Sequence, residues 1–202
     1  MKFYKFSENW FRKDILDRVF PTVLEKEYHI LEIGTFEGAS TVNFLERFSK
    51  NPKSTITCVD PWTNYSQNKD SFNSYTNSNS EWNFSSQKET FLQNILVSGE
   101  SNKINIRQGL SNEILPQLIS ENRKYDLILI DGNHTAPFVL SDAIFSWYLL
   151  KENGFLIFDY YTWRINLKPT LRPQLAVDSF LSTFADYIEI VYKGDWVVIK
   201  KI

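Results

Sequence analysis

The chain has one cysteine, Cys58, no excess of basic residues and no apolar run long enough to cross a bilayer. A single thiol excludes an intrachain disulfide and suits a reducing compartment. Lys and Arg number 22 against 24 Asp and Glu, a formal charge of −2, so the electrostatic footprint of a nucleic-acid-binding chain is missing. The opening residues, MKFYKFSENWF, lack the apolar centre of a secretion signal. With no bilayer run either, the cytoplasm is expected and no membrane partner is. The triplets at Asn64, Asn83 and Asn133 that match a glycosylation acceptor are accordingly read as chance in an Asn- and Ser-rich chain. No internal repeat is visible. What is present is enough chain for one core: 202 residues, 43% hydrophobic and 16% aromatic. A single domain over 1–202 is expected, with aromatics to spare for lining a pocket.

Residues 30–41, ILEIGTFEGAST, organise the rest. Ile30, Leu31 and Ile33 suit a buried strand, Gly34 and Gly38 bracket a turn, and residues 39–48 continue with helical spacing. A strand that reverses through glycines into a helix leaves free N–H groups at the helix mouth and lets a ligand approach the backbone. Glu32 is an acidic side chain within an apolar strand and needs a partner, which a cationic or hydroxyl-rich ligand above the turn would supply.

Ahead of this stretch, residues 9–25 carry a helical pattern interrupted by Pro21, predicting a kinked helix or two short ones in an N-terminal segment of residues 1–28. Strands are predicted at 54–59, 104–108, 125–130 and 155–158, and helices at 89–97, after Ser111 as a cap, and after His134 with Leu140, Ile144 and Trp147 on one stripe. A further helix carries Val177, Phe180, Leu181 and Phe184. Residues 187–192 and 196–200, joined by Lys193-Gly194-Asp195, read as a hairpin. Between 63 and 87, 13 of 25 residues are Asn or Ser with five aromatics among them. The segment is either a disordered insertion or a lid over bound ligands. Alternating strands and helices predict an α/β, doubly wound, mostly parallel sheet with helices on both faces and an antiparallel C-terminal hairpin.

Gly34 to Gly38, Asp60, Asp131 to His134, and Asp159 each follow a predicted strand, so all would lie along the carboxyl edge where ligands bind at the reversal of strand order. LEIGTFEGAST, VDPW, QGLSNEILPQL, YDLILIDGNH and LKENGFLIFDYY together resemble the class I S-adenosylmethionine-dependent methyltransferases, and within them the small O-methyltransferases related to sugar and macrolide enzymes. The resemblance implies a seven-stranded Rossmann-like sheet and S-adenosylmethionine as cofactor. In that likeness the turn residues Gly34, Thr35, Phe36 and Gly38, with Ser40 and Thr41 nearby, would hold the methionine part, and Glu32 would orient the loop. Asp60 would accept from both ribose hydroxyls, Trp62 would pack on adenine, Gly109, Leu110 and Ser111 would border it, and Asp131 would lie beside the donor. Each has a plainer alternative: a tight turn for the glycines and Asp60, core packing for Trp62, a helix cap for Ser111.

Methyl transfer to a hydroxyl needs alignment and removal of a proton. His134, three residues after Asp131, is the base expected from its ordinary pKa of about 6.5, unless it merely bonds a neighbour at a helix start. Relatives with magnesium hold it with an Asp after the fourth strand and an Asp pair after the fifth. Here those places read Asp131, Asp159 and Tyr160, so a divalent metal such as magnesium on Asp131 and Asp159 stays open, while Tyr160 and Tyr161 would shape the pocket of a small acceptor such as a sugar. A nicotinamide dehydrogenase is disfavoured because Phe36 stands where its G-x-G spacing needs glycine. A non-catalytic descendant of the fold is the remaining alternative. Oligomeric state is not legible.

Overall fold

The structure, a computed structural model, describes residues 2–63 and 84–202. Seven strands form one sheet: β1 (His29–Ile33), β2 (Thr55–Asp60), β3 (Ile104–Gln108), β4 (Tyr125–Ile130), β5 (Leu150–Phe158), β6 (Ile188–Lys193) and β7 (Val197–Lys201). Their order is β3-β2-β1-β4-β5-β7-β6. Strands β1 to β5 are parallel, and β7 runs antiparallel between β5 and β6. The doubly wound sheet with a closing hairpin is therefore as expected, and strand order reverses between β1 and β4.

Six helices cover it among the described residues: α1 (Lys13–Val19), α2 (Ala39–Phe48), α3 (Phe84–Ser98), α4 (Ser111–Ser120), α5 (Ala136–Leu149) and α6 (Gln174–Thr183). The period of two in each strand sorts the core into two layers. Ile30, Leu127, Leu129, Ile157 and Val198 face α1, α2 and α3 with Leu16, Phe44, Phe48 and Phe91. Leu31, Ile128, Ile130, Leu156, Phe158 and Val197 face α4, α5 and α6 with Leu115, Val139, Val177 and Phe180. Each such apolar side chain contributes roughly 1.5–3 kcal/mol by leaving water.

Four local expectations are corrected. The N-terminal helix covers only Lys13–Val19 and stops at Phe20, the residue before Pro21, whose backbone (φ −124°, ψ 75°) is no longer helical. Residues ahead of it lie across the sheet's carboxyl edge instead, Phe11 wedging against Phe44 and Trp196. On α5 the buried stripe is Ala136, Val139, Asp142, Ala143, Ser146 and Leu149. Leu140 and Ile144 point outward, because this helix is apolar nearly all round and periodicity alone cannot choose its inner face. Strand β5 starts at Leu150, ahead of the predicted Phe155, through a register shift opposite Tyr125 and Leu127 and a left-handed Asn153 (φ 61°). Finally α3 already includes residues 84–87. The rest of the proposed lid, from 64 to 83, lies outside the described residues.

Candidate functional site

Backbone hydrogen bonds tie the carboxyl ends of five strands side by side. The N–H of Gly109 donates to Asp60 O (3.1 Å), Gly34 to Val59 O (2.9 Å), Asp131 to Ile33 O (2.8 Å) and Asp159 to Ile130 O (3.1 Å). The four places singled out in the sequence thus share one edge, at the switch point. Gly34 (φ +85°) lies against the backbone that leaves β4: a Cβ there would lie 2.2 Å from the Asp131 carbonyl oxygen. Gly38 (φ +84°) is the N-cap of α2, and its Cβ would lie 2.8 Å from the Phe91 ring. Only glycine satisfies both constraints at either place.

Glu32 finds its partners within the protein, not in a ligand above the turn. It points to the α2 face, fully buried, and accepts from the Ser40 hydroxyl and from Thr41 Oγ1 (2.6 Å) at the start of that helix. Ser40 and Thr41 therefore spend their hydroxyls beneath the turn. Burial pushes the Glu32 carboxyl up to about 8, against the pull of the two hydroxyls, and Asp131 and Asp60 add to the rise. At neutral pH it holds a proton, a buried hydrogen-bonded post that fastens the turn to its helix.

Asp60 is also engaged. Its Oδ2 accepts from the N–H groups of Thr35 (2.8 Å) and Phe36 (2.9 Å), and Oδ1 from Trp62 N–H (2.7 Å). Desolvation raises its pKa while these three amides pull it down. Trp62 is a core residue, 4% exposed, its ring 5.1 Å from Phe91. Its indole N–H donates to Phe36 O at 2.8 Å. Phe36 (φ 50°) and Trp62 (φ 44°) are both left-handed, a strain that persists only where the surroundings over-determine it. Of the two places expected for Trp62, on adenine or in the core, its ring takes up the core packing.

On the other side of the switch point, His134 Nε2 lies 3.2 Å from Asp131 Oδ1, a long contact. Its ring packs 4.7 Å from Tyr160 and 5.4 Å from Trp163. Burial drives the imidazole down to about 4, with Asp159 pulling the other way. His134 is therefore neutral at physiological pH and a weaker base than an exposed imidazole. Asp159 accepts the Tyr160 N–H at 2.6 Å. Both Asp131 and Asp159 are raised well above the carboxylate range by burial, and further by neighbouring carboxylates: Asp60 for Asp131, Asp131 for Asp159. The two expected acceptor tyrosines part company. Tyr160 (φ 55°) faces His134, whereas Tyr161 turns under α6 and donates its hydroxyl to Asp178 Oδ1 at 2.9 Å. No three His, Cys, Asp or Glu side chains among the described residues could hold a metal ion. With Tyr160 in the third place, the donor set does not suit a hard divalent cation.

Gly109 and Leu110 border the edge beside Asp60, and Leu110, not Ser111, is the N-cap of α4. The Ser111 hydroxyl turns to Asp142 on α5, a buried carboxyl pushed up to about 7 by desolvation.

A family profile described as a methyltransferase domain matches residues 31–161, which includes every strand end described above and more than half of the chain. The chain belongs to the methyltransferase domain family. The likeness to solved structures shows the same fold. An O-methyltransferase from Bacillus cereus in complex with SAH has a TM-score of 0.62 at 16% identity, over 93% of this chain and 78% of that one. The O-methyltransferase TomG from Streptomyces achromogenes, involved in tomaymycin synthesis and in complex with SAM, gives 0.63 at 16%, over 93% and 76%. CalS11, a calicheamicin methyltransferase, gives 0.63 at 15%, over 93% and 78%. No curated protein matches.

In this methyltransferase domain, three residues at the site were missed in the sequence. Trp163 follows Tyr160 through a turn (Trp163 N–H to Tyr160 O, 2.9 Å) and walls His134. The aromatic run after β5 was a signal that could have found it. Ser7 and Asn94 both bond Glu37, within the glycine turn. Nothing in a lone Ser or Asn far along the chain announces such a contact.

Proposed function

We propose that the protein is an S-adenosylmethionine-dependent methyltransferase acting on a hydroxyl of a small molecule, a sugar or comparable metabolite, in the cytoplasm, as a single domain over residues 1–202. The observation that carries this reading is the meeting of the Gly34 and Gly38 cradle with Asp60, Asp131 and Asp159 on one edge. The residues present suit the cofactor: the turn admits close backbone approach, and desolvated carboxyls with raised proton affinity favour a cationic guest. Gly34, Thr35, Phe36 and Gly38 would hold the amino-acid end, with Gly109 and Leu110 beside the nucleoside. Three of the roughly four acceptor positions of the Asp60 carboxylate are taken by amides, which leaves about one for a ribose hydroxyl instead of two.

When bound, S-adenosylmethionine supplies a methyl group already activated on a sulfonium, displaced in line. The chain's own task is orientation and the proton. Tyr160 and Trp163 wall the acceptor side, His134 takes the hydroxyl proton, and Asp159 favours the imidazolium that results. No step runs through a metal. No nucleic-acid partner is expected of a chain whose formal charge is −2.

Calorimetry with S-adenosylmethionine and SAH, followed by turnover on a panel of sugars and phenols, tests the reading. Micromolar binding and release of SAH are expected. No binding would overturn it. Binding without turnover on any hydroxyl favours the second reading, a non-catalytic module, for which the depressed His134 basicity and Tyr160 in place of a second Asp are the specific observations.

A further inference from the structure

We propose that residues 7–12 form a brace that sets the shape of the glycine turn, with Ser7 and Trp10 as positioning residues for cofactor binding. The inference rests on the reading that the 34–38 turn holds S-adenosylmethionine, and it adds a partner for that turn lying outside the matched family region.

The turn is held from two sides. From within, Asp60 takes the Thr35 and Phe36 N–H groups. From outside, the buried Glu37 carboxylate (5% exposed) accepts the Ser7 N–H (2.6 Å) and the Ser7 hydroxyl (2.9 Å). A buried carboxylate without such donors is costly, so Glu37 and Ser7 stay together. Trp10 packs on Phe36, ring centroids 5.6 Å apart. Asn94 on α3 completes the hold: its Nδ2 donates to Glu37 O (2.9 Å) and Lys5 O (2.7 Å), and its Oδ1 accepts the Lys5 N–H (2.9 Å).

Phe36 explains why a hold is needed. Its left-handed backbone (φ 50°) is unfavourable for a phenylalanine and lasts only while its surroundings insist on it. Ser7, Trp10 and Asp60 supply that insistence. Released on the outer side, the turn relaxes, and the N–H groups and glycines lose their arrangement without the sheet being touched.

The far end of the brace is anchored on the acceptor side. Phe11 lies between Phe44 and Trp196, and Arg12 pairs with Asp195 in the β6–β7 turn. Asp195 in turn accepts the Thr162 hydroxyl through its side chain and the Tyr161 N–H through its carbonyl (2.7 Å). One short irregular segment thus connects the cofactor turn to the loop that follows β5.

The test uses the full chain and SAH as the probe. Ser7→Ala/Trp10→Ala should weaken SAH binding by calorimetry about tenfold or more. Ser7→Thr, which keeps both donors, should bind like the wild type. Lys2→Ala, which cuts the contact with Ser98 O away from the turn, should leave affinity unchanged even if it lowers the melting temperature. Arg12→Ala should weaken SAH binding by a smaller factor. By reciprocity, SAH should slow tryptic cleavage after Lys5 and Arg12 in the wild type. A wild type that binds no SAH would sink the cofactor reading itself. A wild type that binds, with Ser7→Ala/Trp10→Ala binding equally well, would overturn the brace alone. If the double variant does not fold, Ser7→Ala against Ser7→Thr decides by the same comparison.

Discussion

A carboxyl with no exposed surface, such as Glu32, binds its proton more tightly in the folded chain than in the unfolded one, where its pKa is the ordinary 4.5 and not about 8. Below 4.5 both states hold the proton, and the contribution to stability is fully present. As pH rises toward 8 the unfolded chain releases a proton that the folded one keeps, and stability is lost at about 1.4 kcal/mol per unit until the folded group also ionises. Glu32→Gln, which cannot ionise, should flatten the fall in urea-denaturation free energy between pH 5 and 8 by about one proton's slope. Gly34→Ala is expected to be severe, costing at least about 2 kcal/mol and abolishing cofactor binding. Its Cβ would meet the Asp131 carbonyl, and its φ of +85° resists any side chain; denaturation and SAH titration of the same sample read both losses. His134→Ala should cut turnover by roughly a hundredfold while SAH affinity stays. Unaltered turnover would retire the base. The sequence showed which residues stand at strand ends but not what they touch. Asp60, Trp62, Ser40 and Thr41 were visible as polar or aromatic residues beside a turn. That their groups are spent on Glu32, on the Phe36 carbonyl and on the turn's own amides is a matter of distances, which no spacing encodes.

Strands β3 and β4 were legible to the residue, β4 because a buried parallel strand reads as a short apolar run closed by Asp-Gly, and the edge strand β3 because Gly109 closes it. The hairpin of β6 and β7 was legible from its Lys193-Gly194-Asp195 turn, and the interior place of β7 from Val197, Val198 and Ile199, all fully buried. The inner face of α5 was not, since small residues and a buried Asp142 line it while Leu140 and Ile144 face out. Nor was the irregular course of residues ahead of α1, whose aromatic spacing imitates a helix while their rings serve Phe36, Phe44 and Trp196. An element buried on both faces should be sensitive: Ile199→Ala on β7 is expected to cost about 2–5 kcal/mol by denaturant titration.

Across the whole molecule, buried acids dominate the pH response. Glu32 and Asp142 (up to about 7) lose stability as pH rises, and Asp131, Asp159 and Asp60 shift in the same direction. His134, lowered to about 4, opposes them only between there and 6.5, where the unfolded chain holds the proton and the folded one does not. The melting temperature should therefore be higher near pH 5 than near pH 8. A cationic ligand favours the ionised carboxylates, so its binding should release protons and tighten from pH 5.5 to 8; calorimetry in two buffers of different ionisation enthalpy measures this. The interior position of β7 also bears on how the chain is made. On the ribosome, β5 emerges well before the strand that will cover it, and Leu156, Ile157 and Phe158 wait as a bare, greasy rim to which other nascent chains can stick. Arg12 and Phe11 must likewise wait for Asp195 and Trp196. The sheet is thus completed only once β7 has been made and slides between two strands that were synthesised apart.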